Sequence, residues 1–191
     1  LLAIELADFD LAEKFLLQSL GRGYPQPEQI YIYLARIEDT RGNYTEALSW
    51  LNKIKSGPFF IESKILMAEL IAKYEGNDQA IESLDQYTNL TTEARLQLFR
   101  AKISILYSDN KETEAFDLMK KEEENFKGSA EFKYDYAMLA ERMGNTVLME
   151  QLLREAIKIK PDYAVAYNAL GYSFADRNIK LEEAKINIEI A

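Results

Sequence analysis

The side chains that most often carry chemistry in enzymes and metal centres are missing from this chain. Its 191 residues include no histidine and no cysteine. Histidine is the usual general base near neutral pH and the commonest metal ligand, and cysteine supplies nucleophiles, disulfides and thiolate ligands. Carboxylate pairs remain available among the 32 acidic residues, but no motif places two of them on a cleft. We therefore predict a protein that is not an enzyme and that holds no metal or other cofactor.

Two short segments partly match known ligand-binding loops. The run Gly21-Arg22-Gly23-Tyr24 has two glycines of a phosphate loop but lacks the third glycine and a preceding strand, and Pro25 follows at once. Residues 109–114 match a calcium loop only loosely, because Lys111 and Thr113 occupy ligand positions and the turn glycine is missing. Plain connections between helices explain both segments better.

Charge and hydrophobic patterning limit the kind of partner. The formal net charge is −9, which repels phosphate backbones, so we expect no nucleic acid partner. Apolar stretches such as residues 64–72 are interrupted by charge, so we expect no direct membrane insertion of this fragment. The chain opens on Leu1-Leu2 and closes on residues 188–191 inside apolar patterns, which we interpret as a piece of a longer protein.

A repeat of 33 to 35 residues runs through the chain. It is defined by the small residue near the start of every second helix, a series that we call the anchors: Ala12, Ala47, Ala80, Ala115, Met149 and Ala184. A large apolar residue follows each anchor four positions later, on the same helical face: Leu16, Leu51, Leu84, Met119, Leu153 and Ile188. A period near 34 residues is typical of repeated helix–turn–helix units.

A first helix is expected before each of these second helices. The predicted spans are 28–42, 60–75, 92–108, 129–143 and 163–177. Each span contains a small contact residue where the two helices of a pair approach: Ala35, Ala68, Ser104, Ala137 and Gly171. Gly-Asn pairs end several first helices, and Asn43 with Glu46 has capping-box spacing. The chain is therefore predicted to be all-α, with about eleven or twelve helices in antiparallel pairs, divided into the segments 1–24, 25–57, 58–90, 91–127, 128–161 and 162–191.

The segment from Pro161 to Tyr172, PDYAVAYNALGY, resembles the signature of the tetratricopeptide repeat family. Tyr167 stands at the family's aromatic position and Leu170-Gly171 match its Leu-Gly pair, whereas Arg100 and Lys133 occupy the aromatic position of the middle repeats. The resemblance implies a right-handed α-solenoid. Residues 170–184 also resemble a stretch of large bacterial members of the family, many of them associated with the cell envelope. That likeness favours a bacterial source, and a periplasmic or envelope location over the cytoplasm.

The family resemblance implies a concave groove lined by the first helices, which would bind a peptide or helix of a partner protein. By family position the groove receives Ile32, Arg36, Ile65, Glu69, Ile105, Tyr134, Met138, Asn168 and Tyr172, together with the charged residues Asp39, Lys102 and Glu141. The carboxylate clamp of some relatives is not supported, because its positions hold Ile65, Glu69 and Tyr134. The alternative function is a structural spacer or accessory domain that positions an enzyme or partner-reading regions outside this fragment.

The two ends of the chain carry apolar residues that would normally face a neighbouring repeat. They are Leu1, Leu2, Ile4 and Leu6 at the start, and Ile186, Ile188 and Ile190 at the end. Terminal repeats of such proteins usually need a polar outer face. We therefore expect self-association through these uncapped ends.

Overall fold

The computed structural model describes residues 8–191 of the chain, and this part is almost entirely helical. It contains eleven α-helices, one short 3-10 helix and no β-strand. In chain order the α-helices are α1 Phe9–Gly21, α2 Pro27–Thr40, α3 Tyr44–Leu51, α4 Phe60–Tyr74, α5 Asn77–Asp85, α6 Thr92–Ser108, α7 Glu112–Glu122, α8 Ala130–Arg142, α9 Thr146–Ile159, α10 Ala164–Asp176 and α11 Leu181–Ile190. The 3-10 helix spans Glu123–Phe126.

Consecutive helices pack as pairs, which confirms the predicted all-α fold class. The pairs α2 with α3, α4 with α5, α8 with α9, and α10 with α11 are the most extensive helix contacts of the described residues. The chain divides within α6 into two compact units. We call them the N-terminal unit, which ends at Ile105, and the C-terminal unit, which begins at Leu106.

The anchors occupy the helix–helix contacts, as the period predicts. All six are almost completely buried, with exposures from 0% to 4%. Four of the apolar residues that follow them are buried too: Leu51, Leu84, Met119 and Leu153. Leu16 is half-buried and Ile188 remains 48% exposed. Leu1, Leu2, Ile4 and Leu6, for which the sequence predicts an uncapped apolar end, lie outside the described residues.

Helix α6 corrects the register predicted for the middle of the chain. Ser104, expected at the helix-pair contact, is exposed, whereas Ile103 beside it is buried. A shift of one residue rotates the helical face by about 100°. The corrected register also replaces Arg100 by the buried Phe99 at the aromatic position, four residues before the contact residue. A large buried side chain thus stands at the position that small residues hold in the other first helices.

The aromatic position alternates between rings and lysines along the chain. In order it holds Tyr31, Lys64, Phe99, Lys133 and Tyr167. Both lysines are buried, each 5% exposed, but their surroundings differ. Lys133 donates to Glu123 at 2.7 Å and forms a second ion pair with Glu155 at 2.6 Å. Burial lowers the pKa of Lys133, but the two carboxylates together raise it above its ordinary value.

Lys64 has no carboxylate partner among the described residues. Its ammonium group donates to the Ile54 carbonyl at 3.4 Å and lies 5.0 Å and 5.8 Å from the ring centres of Phe60 and Tyr87. Burial lowers the pKa of Lys64, and the charge of Lys55 lowers it further. The rings, the long hydrogen bond to Ile54 and a weak one to the Met67 sulfur at 3.6 Å therefore compensate only part of the cost of burying this charge.

Replacing Lys64 with methionine is expected to raise the free energy of unfolding by about 1–2 kcal/mol, since a buried charge is replaced by an apolar chain of similar length. Because the pKa of Lys64 is lower in the folded state, the unfolded chain binds more protons, and wild-type stability rises with pH up to the ordinary lysine pKa of about 10.4. Lys64→Met should lack this part of the pH dependence. Urea denaturation at neutral and alkaline pH measures both effects, and a less stable variant would contradict the prediction.

Candidate functional site

An open slot lies between two successive first helices of the N-terminal unit. Its volume is about 150 Å³ and its floor is apolar, while charged side chains surround it. Helices α2 and α4 form its sides and the end of α3 contributes to its floor. The lining residues are Ala35, Arg36, Asp39, Leu51, Leu66, Glu69, Leu70 and Lys73.

The spacing of the lining residues explains why the slot forms. On α4, Leu66, Glu69, Leu70 and Lys73 are three or four residues apart and share one face of the helix. Positions Ala35, Arg36 and Asp39 do the same on α2. Ala35 carries only a methyl group, so it leaves space between the two helices while remaining buried.

Most of the charges around the slot neutralise one another. Lys73 forms an ion pair with Asp39 at 2.7 Å, and the Tyr74 hydroxyl donates to the same Asp39 oxygen at 3.1 Å. The hydrogen bond to Asp39 is the main cause that raises the pKa of Lys73. Arg36 forms a longer ion pair with Glu62 at 3.5 Å.

Glu69 differs from the other charged residues of the slot. Within the described part of the chain, its carboxylate has no hydrogen-bond or ion-pair partner. The residue as a whole is exposed, yet neighbouring protein atoms partly desolvate its carboxyl group and raise its pKa, an effect that the charge of Arg36 opposes. The slot therefore presents one acceptor group that the protein itself leaves unpaired.

The structure brings together some of the residues predicted for the groove and corrects others. Arg36 and Glu69 both line the slot, and Asp39 lies with them. Ile32 and Ile105 are 4% and 6% exposed and belong to hydrophobic clusters, so they offer no surface to a ligand. For Ile105 the cause is the one-residue register shift of α6.

Ile65, which was also predicted for the groove, is half-buried and packs on a core cluster instead of lining the slot. Three residues that do line the slot were not among the predicted groove residues: Leu51, Leu66 and Lys73. The i+7 spacing of Leu66 and Lys73 on α4 was the only sequence signal that could have suggested them.

The predicted site residues of the C-terminal unit lie on α8 and α10. Tyr172 is 67% exposed and Asn168 is exposed, whereas Tyr134 and Met138 are half-buried. The Tyr134 ring packs edge-on against Tyr163, with ring centres 5.8 Å apart. These residues therefore expose aromatic and polar surface.

Residues 8–191 contain neither a membrane-spanning helix nor a cluster of metal ligands. No helix in this range has the length and hydrophobicity to cross a bilayer. No group of three or more acidic side chains in the same range is arranged to hold a metal ion.

Comparison with known proteins links the repeat to a named class. No family model matches the chain. A TPR repeat-containing protein of Pseudomonas aeruginosa, PA4667, is 26% identical over 152 residues, or 80% of this chain. The helix pairs and their period of about 34 residues extend over the same length. The chain has the tetratricopeptide-repeat fold. Its bacterial relative agrees with the bacterial source expected from residues 170–184.

Solved structures support the tetratricopeptide fold. The crystal structure of MamA has a TM-score of 0.54 and 20% identity, and the match covers 82% of this chain and 91% of that one. MamA from Desulfovibrio magneticus RS-1 has a TM-score of 0.52 and 15% identity, with 85% and 91% covered. The tetratricopeptide chain described here spans only about a quarter, 26%, of the length of the Pseudomonas relative.

Proposed function

We propose that this tetratricopeptide chain is a non-catalytic interaction scaffold that binds an extended segment of a partner protein. The observation that carries the proposal is the slot between α2 and α4, which combines an apolar floor with a charged rim. Binding sites are usually concave and mostly apolar, with a few polar groups that fix orientation. A smooth outer surface would provide neither feature.

The size of the slot suits one side chain of the partner. A dry cavity of about 150 Å³ lined by apolar residues is large enough for a benzene molecule. An aliphatic or aromatic side chain could therefore enter between Leu66 and Leu51, while the charged rim contacts the peptide on either side. Removing apolar area from water provides the driving force.

We extend the proposal to the predicted groove residues of the C-terminal unit, Tyr134, Met138, Asn168 and Tyr172. Tyrosine and methionine are enriched at protein interfaces, and the Asn168 amide can both donate to and accept from a peptide backbone. The exposure of Tyr172 and Asn168 supports this extension.

The test is selection of displayed random peptides on the immobilised chain, followed by affinity measurement with synthetic copies of the selected peptides. Leu66→Trp, which fills the slot, and the pair Tyr134→Ala with Tyr172→Ala are each expected to weaken binding by about tenfold or more, or about 1.4 kcal/mol. Circular dichroism and thermal unfolding verify that both variants remain folded.

A change at two other exposed residues provides the control. Lys120 and Glu124 are exposed and belong to neither set of residues, so Lys120→Ala with Glu124→Ala should leave affinity unchanged. If no peptide is selected, or if only the control pair reduces binding, the scaffold proposal fails for this part of the chain. The spacer function would then be the better explanation.

A further inference from the structure

The charged residues that line the slot are balanced in number but not in pairing. Two carboxylates, on Asp39 and Glu69, stand with two cations, on Arg36 and Lys73, but Arg36 forms its ion pair with Glu62, which does not line the slot. Lys73 is paired with Asp39, and Arg36 is paired with Glu62. Glu69 is therefore the carboxylate of the slot that has no ion-pair partner among the described residues.

An unpaired, partly desolvated carboxylate beside an apolar cavity determines which ligands fit. The raised pKa of Glu69 indicates that its charge is less well solvated than that of a free side chain. A ligand cation would restore this lost solvation, whereas a ligand carboxylate would add like-charge repulsion. Arg36 and Lys73 already have carboxylate partners. A ligand carboxylate would therefore be attracted to them less strongly than to two unpaired cations.

We propose that the slot selects segments in which an apolar residue stands next to a lysine or arginine, so that the apolar side chain enters the slot while the cation pairs with Glu69. This inference rests on the proposed function, because it names the chemistry of the segment that the slot binds. The two contacts lie close together, since Glu69 and Leu66 are one turn apart on α4. The basic residue must therefore be a near neighbour of the apolar one.

The inference is tested with a library of capped peptides that contain one fixed leucine and randomised neighbours, selected on the immobilised full chain. On the wild type, lysine and arginine should be enriched over aspartate and glutamate beside the leucine by about fivefold. Glu69→Gln should abolish this preference, and Glu69→Arg should reverse it. Glu46→Arg makes the same change of charge at an exposed residue of α3 in the same unit, and it should leave the preference intact.

Each outcome decides between the two proposals. If peptides are selected and lost with Leu66→Trp, but show no basic preference or keep it in Glu69→Arg, the inference is overturned and the scaffold function stands. If peptides are selected but none depends on the slot, the inference is overturned, and the scaffold function stands only if Tyr134→Ala with Tyr172→Ala weakens binding; if no peptide is selected, both are overturned. Light scattering tests whether a second copy of the chain occupies the slot instead of a peptide. If the wild type is a dimer and Leu66→Trp is a monomer, a second copy fills the slot and the inference is overturned.

Discussion

Replacing Lys133 with methionine is expected to lower the free energy of unfolding of the C-terminal unit by about 2–3 kcal/mol. The buried ammonium group lies 2.7 Å from the carboxylate of Glu123 and 2.6 Å from that of Glu155. Removing it deprives both carboxylates of the cation that they share, and only the more distant charge of Lys158 still acts on Glu155. Both carboxylates keep about a third of their side-chain surface exposed, so the cost stays below that of breaking a fully buried pair.

The pH dependence of stability provides a second readout for Lys133. Burial raises the pKa of Glu155, but the hydrogen bonds from Lys133 and Gln151 outweigh it and leave the pKa below its ordinary value. Its contribution to stability is thus complete above about pH 4.3, the ordinary pKa, and is lost as the pH falls through the lower folded value. Lys133→Met should weaken this loss of stability in acid.

Chemical denaturation of Lys133→Met and of the wild type, at neutral and acidic pH, measures both effects. Lys121→Met is the matched control, because it removes an exposed lysine of α7 in the same unit and should change stability by no more than about 0.5 kcal/mol. Equal stability of Lys133→Met and the wild type would mean that water hydrates the two carboxylates well enough to replace the lysine.

Gly171→Val should destabilise the pair α10 and α11 by about 3 kcal/mol, because the two helices approach too closely for a side chain at this position. A Cβ atom on Gly171 would lie 2.8 Å from the Ala184 carbonyl oxygen, 2.9 Å from a carbon of Ile188 and 3.1 Å from the Cβ of Asn187. Two of these three atoms cannot move without shifting the helix. Thermal unfolding followed by circular dichroism measures the loss.

Gly128→Val is the control for Gly171→Val. Gly128 lies in the connection before α8, and a Cβ atom there would meet nothing within 4 Å. The control should therefore change stability by only about 0.5 kcal/mol. If both variants unfolded at the wild-type temperature, the close approach of α10 and α11 would not be a tight constraint.

The helix pairs could be predicted from the sequence because the anchors recur at a regular spacing. The structure confirms that each anchor is buried. The register of α6 could not, since the prediction assumed that a small residue must mark each contact. Ser104 is small but exposed, whereas the bulky Ile103 beside it is buried. Composition alone does not distinguish a small residue at a close contact from a small residue on the surface.

The hydrogen-bond partners of side chains could not be predicted from the sequence patterns either. Asn43 and Glu46 have capping-box spacing, but the Asn43 side chain makes no cap and instead donates to Glu38 at 2.7 Å. A nearby carboxylate thus competes successfully for the amide. The sequence placed Arg36 and Glu69 on the inner face, whereas the slot between them also depends on Leu51 of a different helix, a contact that no local pattern indicates.

The two lysines at the aromatic position give each unit its own chemical reporter. Their ammonium groups are buried, so an amine-acylating reagent can reach Lys64 only when the N-terminal unit opens locally, and Lys133 only when the C-terminal unit does. Labelling rates at the two sites, read by mass spectrometry, would then measure the opening of each unit in the unmodified chain. Lys64, which lacks an ionic partner, is expected to react first.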